Sequence, residues 1–269
     1  MPFAQLSDKK LFYTWRPAKV GSKQAGTTIL FIHGLGSSSS FYETVIPSLV
    51  EAGFGCLALD THGCGLSKLT TRQQDPVSIA RDAEQLLSTM AIDVRHTIVV
   101  GHSMGCMVAS EMASHGSYAG VVLIGAINPG PKYRDAFEKR IMTVTANGME
   151  PMADTIPTMA TGSRSVSVHH AFIRALLLSQ NPEGYVSLCN AIISATQPDY
   201  SAIKCPVLVV SGEEDKTASL DDSKEIITRL GTDPKRVQLE ILKGVGHWHC
   251  IEAADEVAAL LAKFEGDLP

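Results

Sequence analysis

His96-Thr-Ile-Val-Val-Gly101-His-Ser103-Met-Gly105-Cys-Met-Val-Ala-Ser-Glu-Met112 is the stretch that decides how this chain folds. Thr97 to Val100 form a β-branched run, short and apolar enough for a fully buried strand. Met104, Met107, Val108 and Met112 then recur at helical spacing. Gly101-His102-Ser103-Met104-Gly105 fills the corner between them. A serine hydroxyl is a weak nucleophile, and a tight corner pushes its oxygen clear of the sheet, towards a base and a substrate. The flanking glycines let two backbones pass where a Cβ would clash. Ser103 also heads the helix, whose first N–H groups are unpaired and point at incoming negative charge. A bare Gly-x-Ser-x-Gly also fits an ordinary turn; the strand before it and the helix after it favour a nucleophile.

Outward from this corner, apolar strands and helices alternate. Lys10 to Trp15 reads as an early strand, ended by Pro17 and Gly21, and Thr27 to Ile32 as a buried strand running into His33-Gly34-Leu35-Gly36. A helix is expected from Phe41 to Glu51, a strand at Cys56–Leu59, and a helix after Pro76 with Ile79, Ala83, Leu86 and Leu87 on one face. Val121 to Ile124 is another buried strand. This rhythm predicts an α/β fold, a mostly parallel β-sheet with helices on both faces. From Asn128 to Ile203 only helical patterns appear: Tyr133, Phe137, Ile141 and Val144; Val168, Phe172 and Leu176; Tyr185, Leu188 and Ile192. A helical insertion has no room inside the sheet layers, so residues 128–203 are expected as a helical cap, with 1–127 and 204–269 as the core. The core resumes with a strand at Pro206–Val210, a helix at Ser219–Leu230, a strand at Val237–Leu242 and a helix at Ile251–Phe264.

The chain has 269 residues, 45% of them hydrophobic, enough for one sizeable core with an insertion. A net charge of −5 without a basic run argues against a nucleic-acid partner. Six scattered cysteines lack metal-type pair spacing, and Cys56, Cys106 and Cys205 lie in or beside apolar elements, where thiols act as small hydrophobes. Met1-Pro2-Phe3-Ala4-Gln5 has no basic start followed by an apolar run, and no stretch reaches membrane-spanning length, so a soluble cytoplasmic protein with no membrane partner is expected.

A serine nucleophile needs a base to take its proton and a carboxylate to orient that base. In an α/β core these come from loops beyond the carboxyl ends of the strands. Asp215 lies in such a loop, Gly212-Glu-Glu-Asp215, and His247 in Gly244-Val-Gly246-His247-Trp248 after the last strand. Glu213, Glu214, Asp221 and Asp222 compete for the acid's role, whereas Gly125 to Asn128 offer no carboxylate after Ile124. The order Ser103, Asp215, His247 is that of an α/β-hydrolase and not of the other serine-triad folds. Met104 and Leu35 are placed to give the two backbone N–H donors of an oxyanion hole. His33, His62 and His102 are expected to fix loops, and Asp60 to serve a turn. His247-x-His249-Cys250 hints at a metal site but lacks a third ligand at a suitable spacing, so no metal is expected.

With His33-Gly34, Asp60-Thr-His-Gly63-Cys-Gly65-Leu-Ser67, Gly101-His-Ser103-Met-Gly105, Gly212-Glu-Glu-Asp215 and Gly246-His247, the chain resembles the α/β-hydrolase fold family from end to end. Arg140-Ile-Met-Thr-Val144, Gly148-Met149, Asn181-Pro-Glu-Gly-Tyr185 and Cys189-Asn-Ala-Ile192 are similar to the cap of the 3-oxoadipate enol-lactonase group. Two positions differ. The group's bacterial members tend to carry Asn-Ser-Leu-Gly where this chain has His33-Gly34-Leu35-Gly36, and Trp-Phe where it has Met159-Ala160-Thr161. The resemblance implies hydrolysis of a small lactone bearing a carboxylate, without a cofactor, with Arg140, Met149, Tyr185 and Trp248 at the substrate. Arg140 borders the apolar face of the helix expected at 131–146, where it would either hold a carboxylate or pair with Glu138 or Asp135 on the surface. Met142, Met149, Met152 and Met159 fit cap–core packing or an adaptable pocket wall. A general carboxylesterase, and a slow-turnover ligand sensor that keeps the triad, remain alternative functions.

Overall fold

The structure, a computed structural model, describes residues 2–6, 8–22, 24, 26–70 and 73–264. Its strands are β1 (Phe3–Leu6), β2 (Lys9–Arg16), β3 (Thr28–Ile32), β4 (Gly55–Leu59), β5 (Thr97–His102), β6 (Gly120–Ile124), β7 (Val207–Gly212) and β8 (Val237–Leu242). They form one sheet in the order β1-β2-β4-β3-β5-β6-β7-β8. From β4 to β8 every pairing is parallel, while β1 and β2 are antiparallel at one edge. Every residue of β3, β4, β5, β6 and β7 is buried, which explains why these segments read as unbroken apolar runs. The β8 edge is half exposed.

The helices are α1 (Ile46–Glu51), α2 (Pro76–Thr89), α3 (Met104–His115), α4 (Arg134–Asn147), α5 (Glu150–Met159), α6 (Ser167–Leu178), α7 (Pro182–Ser194), α8 (Leu220–Arg229), α9 (His249–Glu252) and α10 (Ala254–Lys263). Helix α2 shows how local sequence sets a boundary. Asp75 accepts from the Ser78 N–H at 2.7 Å, Asp75 N–H donates to Ser78 Oγ at 2.9 Å, and Pro76 takes a first-turn position that needs no donor. Its predicted face, Ile79, Ala83, Leu86 and Leu87, is buried.

Four expectations need correction. The single helix expected over Phe41–Glu51 is a 3₁₀ turn, Ser39–Thr44, followed by α1; Pro47, which lacks an N–H, sits in the first turn of α1, where a new helix tolerates it. The last helix divides into α9 and α10 at Ala253, whose φ of −142° and ψ of 48° lie outside the helical region. The helix expected from 131 begins as a 3₁₀ turn, Pro131–Tyr133. Helix α5 has no counterpart among the three helical patterns; Pro151 occupies its first turn and Pro157 lies near its end.

The carboxyl ends of β3 to β8 share one edge of the sheet. The chain leaves β3 towards β4 on one side and returns to β5 on the other, so the ends of β3 and β5 flank a crevice where ligands bind in such sheets. Helices α4 to α7, between β6 and β7, lie over this edge: His247 N–H donates to Ala160 O at 2.8 Å, and Arg164 N–H donates to Gly244 O at 3.1 Å. Among the described residues no helix is long and apolar enough to cross a membrane.

Candidate active site

Strand β5 ends on His102, and the chain turns into α3 at once. Ser103 absorbs the turn with φ 54° and ψ −116°, a conformation that costs a non-glycine residue on the order of 1–3 kcal/mol. Its N–H donates to Ile124 O at 2.9 Å, and Cys106 N–H donates to Ser103 O at 2.9 Å, so neighbours on both sides hold it. The two glycines are required by distance. A Cβ on Gly101 would stand 2.2 Å from Gly105 O, and one on Gly105 would stand 2.1 Å from Ile32 O.

The structure brings Ser103, His247 and Asp215 into one line. Ser103 Oγ lies 2.9 Å from His247 Nε2, and His247 Nδ1 lies 2.8 Å from Asp215 Oδ2. An ionised carboxylate only accepts, so Nδ1 carries the proton and Nε2 is left bare towards the serine. Asp215 Oδ1 accepts the N–H groups of Thr217 and Ala218, each at 2.8 Å. Burial pushes the Asp215 carboxyl up, but the His247 ring and its hydrogen bond, helped by the Ala218 N–H, outweigh this and bring it down to about 2. Asp215 is therefore an anion throughout the neutral range.

The competing acids lie elsewhere. Glu213 accepts from Gly244 N–H at 2.9 Å and Glu214 from Ser163 N–H at 2.8 Å. Asp222 takes Tyr133 OH at 2.8 Å and Ser219 Oγ at 2.9 Å, and also accepts from Lys132. Asp221 points to solvent near Lys224. The other histidines brace backbone. His33 Nε2 accepts from Thr61 N–H at 3.0 Å, and His62 Nε2 accepts from Thr70 N–H at 2.8 Å. His102 Nε2–H donates to the His247 carbonyl at 2.8 Å. Asp60 binds the N–H groups of Ser39 and Leu66, as a turn residue does. Among the described residues no group of three or more His, Cys, Asp or Glu is arranged to hold a metal ion. None of the six cysteines is in a disulfide.

A narrow cleft, partly open to solvent, lies over Ser103 and His247, with Leu35, Phe137, Arg140, Tyr185, Thr217 and Trp248 in its wall. Neither the Leu35 nor the Met104 N–H has an acceptor among the described residues. Arg140 does not pair with Glu138, which Arg134 takes at 3.2 Å. Its guanidinium lies 5.0 Å from the centre of the Phe137 ring and beside the Tyr185 hydroxyl, and it makes no carboxylate ion pair among the described residues. Tyr185 is 1% exposed, and burial keeps its hydroxyl protonated against the smaller pull of Arg140. Trp248 Nε1 is buried without a hydrogen-bond partner among the described residues. Met149 stands apart from the other three residues expected at the substrate. It is buried at the start of α5 within the hydrophobic cluster and is not in the cleft wall. A second depression, at the amino ends of the strands beside Trp15, Asp93 and His96, contains none of these groups.

Sequence reasoning missed Glu252. Its Oε2 accepts from Gly162 N–H at 2.7 Å, Gly246 N–H at 3.0 Å and Ser165 Oγ at 3.0 Å, and its Oε1 from Trp248 N–H at 2.9 Å. The one available signal was an acid five residues after His247 in an otherwise apolar turn.

A non-heme haloperoxidase of Rhodococcus erythropolis is 27% identical over 285 residues, covering 98% of this chain and 99% of the relative. Among solved structures, the enol-lactonase from Burkholderia xenovorans LB400 matches with a TM-score of 0.87 at 23% identity, covering 98% of this chain and 99% of that one. A thermophilic esterase from Thermogutta terrifontis matches with a TM-score of 0.82 at 18% identity, covering 94% of this chain and 92% of that one. At such identities the likeness is one of fold, which many activities share. The sequence model of the alpha/beta hydrolase family matches residues 29–260, from β3 through His247 into the last helix, and the chain belongs to that family.

Proposed function

We propose that this protein is a serine hydrolase that opens a small ester or lactone, most closely an acidic lactone, through an acyl-enzyme on Ser103. The observation that carries this is the hydrogen-bonded line from Ser103 Oγ through His247 to Asp215, at 2.9 and 2.8 Å, beneath the cleft. Ser103 Oγ attacks the carbonyl carbon while His247 Nε2 takes its proton. The oxyanion is met by the N–H groups of Leu35 and Met104. Collapse breaks the bond to the ring oxygen, which receives the proton from His247; in a lactone that oxygen stays tethered to the acyl chain. Water then gives a proton to His247 and attacks the acyl carbon, and as the bond to Ser103 Oγ breaks His247 returns that proton to Oγ, leaving a hydroxy or keto acid. Residues 128–203 serve as a cap over a core made of 1–127 and 204–269.

Arg140 is the reason for preferring an acidic substrate. A guanidinium in a cleft wall with no carboxylate of its own can take one from the ligand in bidentate geometry, which lysine does not reproduce. A panel of neutral aryl esters, neutral lactones and carboxylated lactones tests both parts. Ser103→Ala should lose on the order of 10⁶ in kcat on any good substrate. Arg140→Lys should cost roughly 1.5–3 kcal/mol in kcat/KM on carboxylated lactones and almost nothing on neutral esters. Equal losses on both kinds would mean damaged cap packing, and no loss on either would leave a general carboxylesterase.

A further inference from the structure

His249 is buried beside the proposed triad, and none of the chemistry above uses it. Its ring is 0% exposed at the start of α9. Nδ1 lies 2.9 Å from the His247 carbonyl oxygen, which also receives His102 Nε2 at 2.8 Å. A carbonyl oxygen only accepts, so His249 Nδ1 carries a proton. In the neutral ring Nε2 is then a bare lone pair. That nitrogen has no hydrogen bond among the described residues and lies 4.0 Å from Asp215 Oδ2, the oxygen that holds His247. The end of β6 leaves space for the ring. Gly125 has φ 56°, and a Cβ there would stand 2.7 Å from His249 Cε1 and 3.4 Å from Asp215 Oδ2.

The groups around the ring come from several elements. Asp215 follows β7, His102 ends β5 with ring centres 5.9 Å apart, and His247 lies 6.2 Å away. Glu252 and Cys250 share its helix; Glu252 is committed to four donors and burial keeps the Cys250 thiol protonated. On the 3₁₀ turn packed against α9, Tyr42 donates to Ile32 O and Glu43 pairs outward with Arg16. On α10, Glu256 pairs with Arg164 and Asp255 is exposed. Burial of the ring outweighs the attraction of Asp215 and keeps its pKa below the usual histidine value.

We propose that His249 is a positioning residue for the reaction: as a neutral ring it holds the His247 backbone through Nδ1–H and presents a proton-free nitrogen to Asp215, so that Oδ2 is committed to His247 alone. This rests on the reading of Ser103, His247 and Asp215 as the triad. A second donor at the Nε2 position would divide the carboxylate between two partners. The His247 imidazolium would then be less stabilised, and the acid limb of kcat/KM would move to lower pH.

Amide side chains separate the two roles, since asparagine places its N–H₂ near the ring's Nδ1 and glutamine near its Nε2. The test is the pH profile of kcat and kcat/KM for His249→Ala, His249→Asn and His249→Gln, with Ser103→Ala in the same assay. His249→Ala should lose about tenfold in kcat with KM little changed, the scale of one lost buried hydrogen bond. His249→Asn should recover most of that loss. His249→Gln should lower the acid-limb pKa by roughly half a unit. Equal losses in the alanine and asparagine variants, or a glutamine variant with an unmoved acid limb, would overturn the proposal while an inactive Ser103→Ala left the triad standing. Full activity in Ser103→Ala would overturn the triad, and the role of His249 with it.

Discussion

An imidazole that takes a proton from a serine must keep one nitrogen bare and the other pinned, and among the described residues one carboxylate does the pinning. Asp215 reaches His247 Nδ1 at 2.8 Å, while Glu213 and Glu214 brace Gly244 and Ser163. Asp215→Asn should therefore cost about 10⁴ in kcat, because the amide favours the wrong tautomer. Glu213→Gln and Glu214→Gln should cost far less. A crippled Glu214→Gln beside an active Asp215→Asn would reassign the acid. Ser103, Asp215 and His247 were legible because each follows a strand, and a parallel sheet gathers such positions at one edge. Met149 was not. Sequence identified it as apolar, but an apolar residue near a cap fits cleft wall and core equally, and only packing decides. His249 was weighed solely as a metal ligand; that both of its nitrogens face the triad follows from the backbone turn at Trp248, which the sequence does not specify.

At the scale of elements, the segment 162–165 joins α5 to α6 and is held to the core by carboxylates. Glu252 binds Gly162 N–H and Ser165 Oγ together with Gly246 N–H and Trp248 N–H, so one side chain ties this segment to the loop that carries His247. Glu214 binds Ser163, and Arg164 pairs with Glu256 on α10. Glutamine at 252 would turn a donor towards at least one of these N–H groups. Glu252→Gln should lower unfolding free energy by roughly 1–3 kcal/mol. Urea denaturation at neutral pH checks this, and a variant as stable as the parent would show that the ties carry no net energy. Helices with uninterrupted periodicity, such as α2, α3 and α8, were readable from the sequence. Where proline interrupts the pattern, as in α5, or where a strand has four residues, as in β1, local signals fall below what a pattern can carry.

Across the whole molecule, Ser103, Asp215 and His247 meet although well over a hundred residues separate the first from each of the other two. The parallel sheet accounts for this: β5, β7 and β8 end on one edge, and the reversal of strand order between the neighbours β3 and β5 opens the crevice beside Leu35 and Met104. The alternation of buried strands with helices made that architecture readable. It also marked 128–203 as helical, but not how α4 to α7 sit over the edge, because their docking rests on backbone contacts such as His247 N–H to Ala160 O. On the proposed mechanism this edge arms Ser103 as a nucleophile. Intact-protein and peptide mass spectrometry after exposure to an alkyl fluorophosphonate tests it most directly. One adduct per chain, on the peptide carrying Ser103 and absent from Ser103→Ala, is the predicted result. An unlabelled parent, or labelling at another residue that persists in Ser103→Ala, would contradict it.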